Sequence, residues 1–217
     1  MNARLLEKEG FAGLLLKLRG EGISDTALLS AMEQTPRTAF LSATHADAAY
    51  EDRLLPIDCG QFAESAALVA RVLYLTGLAA GQRVLDIGTG TGFLAGVVGR
   101  IAERVLTIDR FKTLTTLAQR RYQHLGLANV VARQGDAIKG VPGEGTFDRI
   151  ISTAAFESIP RHYVDHLVTE GVMVAPIRDK DGVIRLSRLT KIGSRFERED
   201  FFPVPYLPLI EGQAAAL

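Results

Sequence analysis

From residue 83 onward, apolar and polar positions fall into short blocks whose period switches in a regular order. The runs "RVLDIG", "RVLTID", "NVVARQGD", "FDRIISTAA" and "GVMVAPI" are apolar and short, as strands are. Between them, "FLAGVVGRIA", "KTLTTLAQRRYQHLG" and "PRHYVDHLV" space their apolar residues as helices do, and Gly126 stops the second. This alternation predicts an α/β fold with a mostly parallel sheet covered on both faces. The later run "GVIRLSRLTKIGSRFEREDFFPVPYLPL" alternates around turn residues and predicts antiparallel strands at the sheet edge. The mixed charges of "RFERED" fit an exposed turn there.

Upstream the pattern is helical. "ARLLEKEGFAGLLLKLRG" is a helix ended by Gly20 and Gly22, and Ser24 or Asp25 can cap a second, "ALLSAMEQ", which stops before Pro36. Residues 37–59 are irregular, with a short helix near Ala43–Ala49. Residues 65–78 predict another helix with Leu68, Val72 and Leu75 on one face and Ser65 or Glu64 at its start. The chain is expected to be one domain over 1–217. Residues 1–64 form a helical extension on the substrate side, and 65–217 form the core and last strands. The "AAAL" stretch is expected to fray.

Composition narrows the classes. The 217 residues are 47% hydrophobic, enough for one medium domain with a substantial core. Lys plus Arg and Asp plus Glu are 25 each, which gives no support for a nucleic-acid or membrane-surface partner. A single cysteine, Cys59, excludes an internal disulfide and is expected to be a small buried thiol. No run is long enough to span a bilayer, and a cytoplasmic location is the simplest expectation. His162 and His166 have i, i+4 spacing but no third ligand, so no metal is expected.

The strongest chemical signal is "VLDIGTGTGF". Glycines at 88, 90 and 92 permit a tight strand-to-helix turn that a ligand can approach closely. A dinucleotide fingerprint requires its last glycine at 93, where this chain has Phe93. With Asp86 ahead of it, the loop resembles the S-adenosylmethionine loop of Rossmann-like methyltransferases. Asp109, followed by Arg110, ends the second strand, where a carboxylate can accept from ribose hydroxyls. Asp136 ends the third. The resemblance implies that it faces adenine, with Ala137 alongside, and that Asp86, Gly88, Thr89, Gly90 and Gly92 complete the cofactor site.

The resemblance extends well beyond the loop. "TPRTAFL", "AYEDRLLPIDCGQ", "VLDIGTGTGF", "HLGLANVVARQGDA", "FDRIISTAAFESIP", "GVMVAPI" and "FFPVPYLPLI" occur in order from about residue 25 to 212. Together they make the chain similar to protein-L-isoaspartate O-methyltransferases. That similarity implies methyl transfer from S-adenosylmethionine, giving S-adenosylhomocysteine, to the free carboxylate of isoaspartyl residues in damaged proteins or peptides. The ester then cyclises to a succinimide, which partly reopens as aspartate. The resemblance also puts Thr153, Ala154 and Ala155 beside the transferred methyl and Gln61 and Phe62 in the acceptor loop.

In that loop the chain departs from its relatives. Where they usually carry "GQTIS" and then proline after one residue, it has "GQFAESA": Phe62 for the threonine, Glu64 for the substrate-contacting serine, Ala66 for the proline. Ser65 stands one residue late. An ionised glutamate cannot donate to a substrate carboxylate, and two such groups in a tight site repel by on the order of several kcal/mol at an effective dielectric of about 20. Glu64 therefore either turns to solvent or caps the following helix, or selects another acceptor, or marks loss of isoaspartyl methylation. Two alternatives stay open beside the repair enzyme: a methyltransferase for a different acceptor, and a catalytically silent cofactor-binding or interaction module. The oligomeric state is not legible.

Overall fold

The computed structural model describes the backbone of residues 3–216 and the side chains from residue 7. Helices α1 (Ala3–Gly20) and α2 (Thr26–Glu33) lead the chain, and Asp25 caps α2 by accepting from the Leu28 N–H at 2.8 Å. Residues 37–60 are irregular: three 3-10 turns (Arg37–Phe40, Ala43–Ala48, Asp58–Gly60) and the short strand β1 (Leu55–Pro56). Strand β1 pairs antiparallel with β2 (Phe62–Ala63) ahead of α3 (Ala66–Thr76).

The core then alternates: β3 (Arg83–Ile87), α4 (Phe93–Val98), β4 (Arg104–Asp109), α5 (Lys112–His124), β5 (Val130–Gln134), β6 (Phe147–Ser152), α6 (His162–Asp165) and β7 (Leu167–Arg178). Two strands finish it, β8 (Ile184–Ile192) and β9 (Arg195–Pro203). The seven-stranded sheet has the order β5-β4-β3-β6-β7-β8-β9, parallel as far as β7 and antiparallel beyond. The expected α/β class with antiparallel edge strands is what forms.

Strand alternation divides the core. Val84, Val105 and Val174 face α1–α5, while Leu85, Ile87, Leu106, Ile108 and Met173 face a second cluster with Phe147 and Tyr163. Because both faces are covered, the central strands are apolar throughout. The order reverses between β3 and β6, and at such a crossing the carboxyl ends of the strands leave a crevice.

Four local expectations are corrected. The helix expected over "PRHYVDHLV" is only four residues long, because Leu167 already pairs with Phe147 and starts β7. "RFERED" is not a turn but the exposed start of β9, paired with β8. Cys59 is partly exposed and sits at φ 59°, in the left-handed region, in the turn between β1 and β2. The first two alanines of "AAAL" are docked, Lys112 and Thr113 donating backbone N–H groups to Ala214 and Ala215 at 3.0 and 3.1 Å, while Leu217 lies outside the described residues.

Candidate active site

A cavity of about 230 Å³ opens at the carboxyl ends of β3, β4 and β6. Gly88 and Gly90 form one wall. Gly88 has φ 96°, and a Cβ on it would come within 2.5 Å of Thr153 Oγ1. Only glycine lets the loop lie this close to the end of β6. The Thr153 hydroxyl donates to the Gly88 carbonyl at 2.9 Å and so ties the two strand ends together. Gly92 is set further back, against Tyr122, at the start of α4.

Of the three acids expected at strand ends, Asp109 reaches the cavity wall. Its two oxygens accept from the Gly90 and Phe111 N–H groups at 3.1 and 3.0 Å. Burial pushes its carboxyl up, and those two donors oppose the shift. Asp136 is 7% exposed and has a scaffold role: it accepts from the N–H groups of Ile138 and Gly212, at 3.0 and 2.9 Å. This brings Ala137 to the wall, where Tyr163 donates to its carbonyl at 2.5 Å. Asp86 lies behind the loop, 1% exposed. Thr107 donates to it at 2.6 Å, and Thr89 lies 2.7 Å from the Thr107 hydroxyl. Burial pushes Asp86 up to about 8 against the pull of Thr107, with Glu64 and Asp109 adding like charge.

In the acceptor loop, Gln61 and Phe62 line the cavity, and Ala63 is buried among Leu41, Ala48 and Leu55. Ser65 accepts from Leu68 N–H at 3.1 Å and donates to Asp52 at 2.5 Å. It, not Glu64, is the cap of α3, and its hydroxyl is committed away from the cavity. Glu64 is partly buried, near Asp86, Tyr206 and Arg37. Burial raises its carboxyl and Arg37 opposes. The Arg37 guanidinium, 1% exposed, donates to the Glu64 carbonyl at 2.5 Å and stacks 4.5 Å from the Phe93 ring centre. Thr153 and Ala154 are on the wall; Ala155 is buried and brackets the C-terminal segment through bonds to Leu207 and Leu209, both 2.8 Å.

Sequence reasoning missed Arg37, Tyr206 and the closing segment Leu207–Ile210, which also lines the cavity. The signal for the last was present in "PYLPLI", where prolines interrupt a run of large apolar residues.

The model of the family described as "Protein-L-isoaspartate(D-aspartate) O-methyltransferase (PCMT)" matches residues 11–214. The chain belongs to this family. A protein-L-isoaspartate O-methyltransferase of Rhizobium meliloti is 50% identical over 94% of this chain and all of its own length. Another, of Azorhizobium caulinodans, is 43% identical over 97% of both. Among solved structures, a protein-L-isoaspartate O-methyltransferase superposes with a TM-score of 0.83 at 25% identity, over 91% of this chain and 65% of its own. A Plasmodium falciparum chain assigned as the same enzyme, in complex with S-adenosyl-L-homocysteine, gives 0.79 at 22% identity, over 91% and 97%. The fold is thus that of the Rossmann-like methyltransferases. Among the described residues, no helix is long and apolar enough to cross a membrane.

Proposed function

We propose that this protein transfers the methyl group of S-adenosylmethionine to the free carboxylate of isoaspartyl residues in proteins, leaving S-adenosylhomocysteine. The observation that carries this reading is the family match over residues 11–214, close to the whole chain. The cavity fits such a cofactor. Ile108, Phe111 and Leu114 offer apolar surface for a base, Asp109 offers carboxylate oxygens for ribose hydroxyls, and Gly88 and Gly90 leave backbone open to the amino-acid part.

When bound, the cofactor supplies an already activated sulfonium methyl. A substrate carboxylate is ionised at neutral pH, so no strong general base is required of the chain. What remains is to hold the acceptor oxygen in line and to exclude water. Thr153 and Ala154 leave room for a substrate backbone beside the glycine loop. Phe62, Leu207 and Ile210 are 49%, 43% and 57% exposed, large and apolar, and all line this one cavity. They support a flanking side chain of an extended protein segment.

The test is methyl transfer from labelled cofactor to paired isoaspartyl and aspartyl peptides. Incorporation confined to the isoaspartyl member is expected. Equal labelling of both, or of neither with the cofactor bound, would refute the assignment.

A further inference from the structure

The hairpin that brings Gln61 and Phe62 to the cavity stands apart from the seven-stranded sheet. Among the described residues, β1 and β2 form a two-stranded sheet of their own. Leu55 and Ala63 pack with Leu41, Ala48 and Ala49 in a small cluster separate from the two that cover the main sheet. Gly88, Ile108 and Asp109, which also line the cavity, belong instead to the ends of β3 and β4, where the Gly88 N–H donates to the Ile108 carbonyl at 2.8 Å. The main sheet therefore fixes the place of these three but not the place of Gln61 and Phe62.

Two adjacent anchors hold the hairpin at its exit. Arg37 donates to the Glu64 carbonyl at 2.5 Å, and the Ser65 hydroxyl donates to Asp52 at 2.5 Å. Ser65 is 5% exposed and follows Phe62 by three residues, so its place limits where Phe62 can stand. Asp52 in turn lies three residues ahead of Leu55, so its bond to Ser65 closes the base of the hairpin. Asp52 also meets Lys17 of α1 and, at 3.7 Å, Arg71 of α3. The two anchors differ in reach. Arg37 stacks on Phe93 at the start of α4, directly after the glycine loop, and so bears on both halves of the site. Among the described residues, the hydrogen bonds and ion pairs of Asp52 go to Ser65, Lys17 and Arg71, none of which lines the cavity.

We propose that Asp52 is a positioning residue for the methyl acceptor: through Ser65 it closes the base of the hairpin and so sets where Gln61 and Phe62 stand. This rests on the methyl-transfer reading above. A hydroxyl bound to a carboxylate makes a short, directional hydrogen bond, stronger than one between neutral groups. The ion pairs of Asp52 with Lys17 and Arg71 join partly exposed side chains, are screened by salt and contribute little. The bond to Ser65, rather than the surface charge, therefore holds the hairpin. A hairpin released at its base misplaces the acceptor oxygen and slows transfer, while the cofactor wall on β3 and β4 stays as it is.

The experiment is steady-state methyl transfer to an isoaspartyl peptide, with calorimetry of S-adenosylhomocysteine on the same proteins. Asp52→Ala is expected to lower kcat/KM for the peptide by about tenfold and to leave S-adenosylhomocysteine affinity within about twofold. Asp52→Asn loses the charge but keeps an oxygen for the Ser65 hydroxyl, and should recover most of that loss. Ser65→Ala should reproduce the defect of Asp52→Ala, and the double variant should be no worse than either. A lower urea midpoint with unchanged peptide kinetics would leave Asp52 a purely structural role and overturn the proposal. So would a parallel fall in cofactor affinity, an Asp52→Asn variant as impaired as Asp52→Ala, or additive losses in the double variant. If Asp52→Ala does not fold, Ser65→Ala decides by the same split between peptide and cofactor. A wild type that binds S-adenosylhomocysteine but methylates no isoaspartyl peptide would refute the acceptor reading itself, and the proposal with it.

Discussion

The Thr107 hydroxyl donates to the Asp86 carboxylate at 2.6 Å, deep beneath the glycine loop, and is the one hydrogen bond that Asp86 accepts among the described residues. That single donor does not offset burial, and Asp86 is pushed from an ordinary 3.8 up to about 8. A folded-state value above the unfolded one makes a contribution to stability that is full below the unfolded value and is lost as pH rises through the folded one. The ligand-free protein is therefore expected to lose stability from this group between about pH 4 and 8, by on the order of several kcal/mol at most. Asp86→Asn should flatten that limb. Denaturant melts of both proteins at pH 5, 7 and 9 check this, and parallel pH profiles would refute it.

Gly88→Ala places a methyl 2.5 Å from Thr153 Oγ1 at φ 96°. The loop must move away from β6 or Thr153 must give up the Gly88 carbonyl. The expected cost is about 1–3 kcal/mol of stability, with a larger proportional loss in S-adenosylhomocysteine affinity. Thermal melts with and without the ligand separate the two effects. An unchanged ligand-induced shift in Tm would show that the close approach of loop and strand is not needed for binding.

Phe62 is half exposed at the mouth of the cavity. Phe62→Thr should leave cofactor affinity unchanged and raise KM for isoaspartyl peptides with a leucine or phenylalanine neighbour by roughly three- to tenfold, the worth of one apolar contact. Peptides with serine neighbours should respond little. Steady-state kinetics on the matched set decides, and a uniform change across peptides would mean that Phe62 shapes the loop rather than the substrate.

Ser65→Ala removes the cap of α3 and its bond to Asp52. A loss of about 1–2 kcal/mol is expected, seen as a lower urea midpoint, with cofactor affinity retained. A large drop in cofactor affinity at unchanged stability would contradict the geometry.

The sheet was legible because its strands are buried on both faces and its helices carry a separate period. Asp109 and the glycines were legible for a related reason: they sit at strand ends, and strand ends can be found from local pattern. Arg37 was not. It belongs to an irregular stretch, and only the three-dimensional approach of Phe93 and Glu64 gives it meaning. The surroundings of Glu64 were hidden for the same reason, because Arg37 reaches its carbonyl from 27 residues away in the chain. The short helix at His162 was overdrawn because "HLV" continues the helical spacing, whereas the pairing of Leu167 with Phe147 decides the state.

The segment after β9 adds no strand to the sheet, yet Leu207–Ile210 close the cavity and Ala214 holds the backbone of Arg110 at 2.9 Å. Folding and competence are therefore separable in this chain. A proteolytic cut near Val204 can leave all seven strands paired, at the cost of Tyr206 from one core cluster and the Leu209 contact from the other, and it removes a wall of the binding site. Spectroscopic evidence of a native fold says nothing by itself about whether a preparation is whole at the place where chemistry occurs.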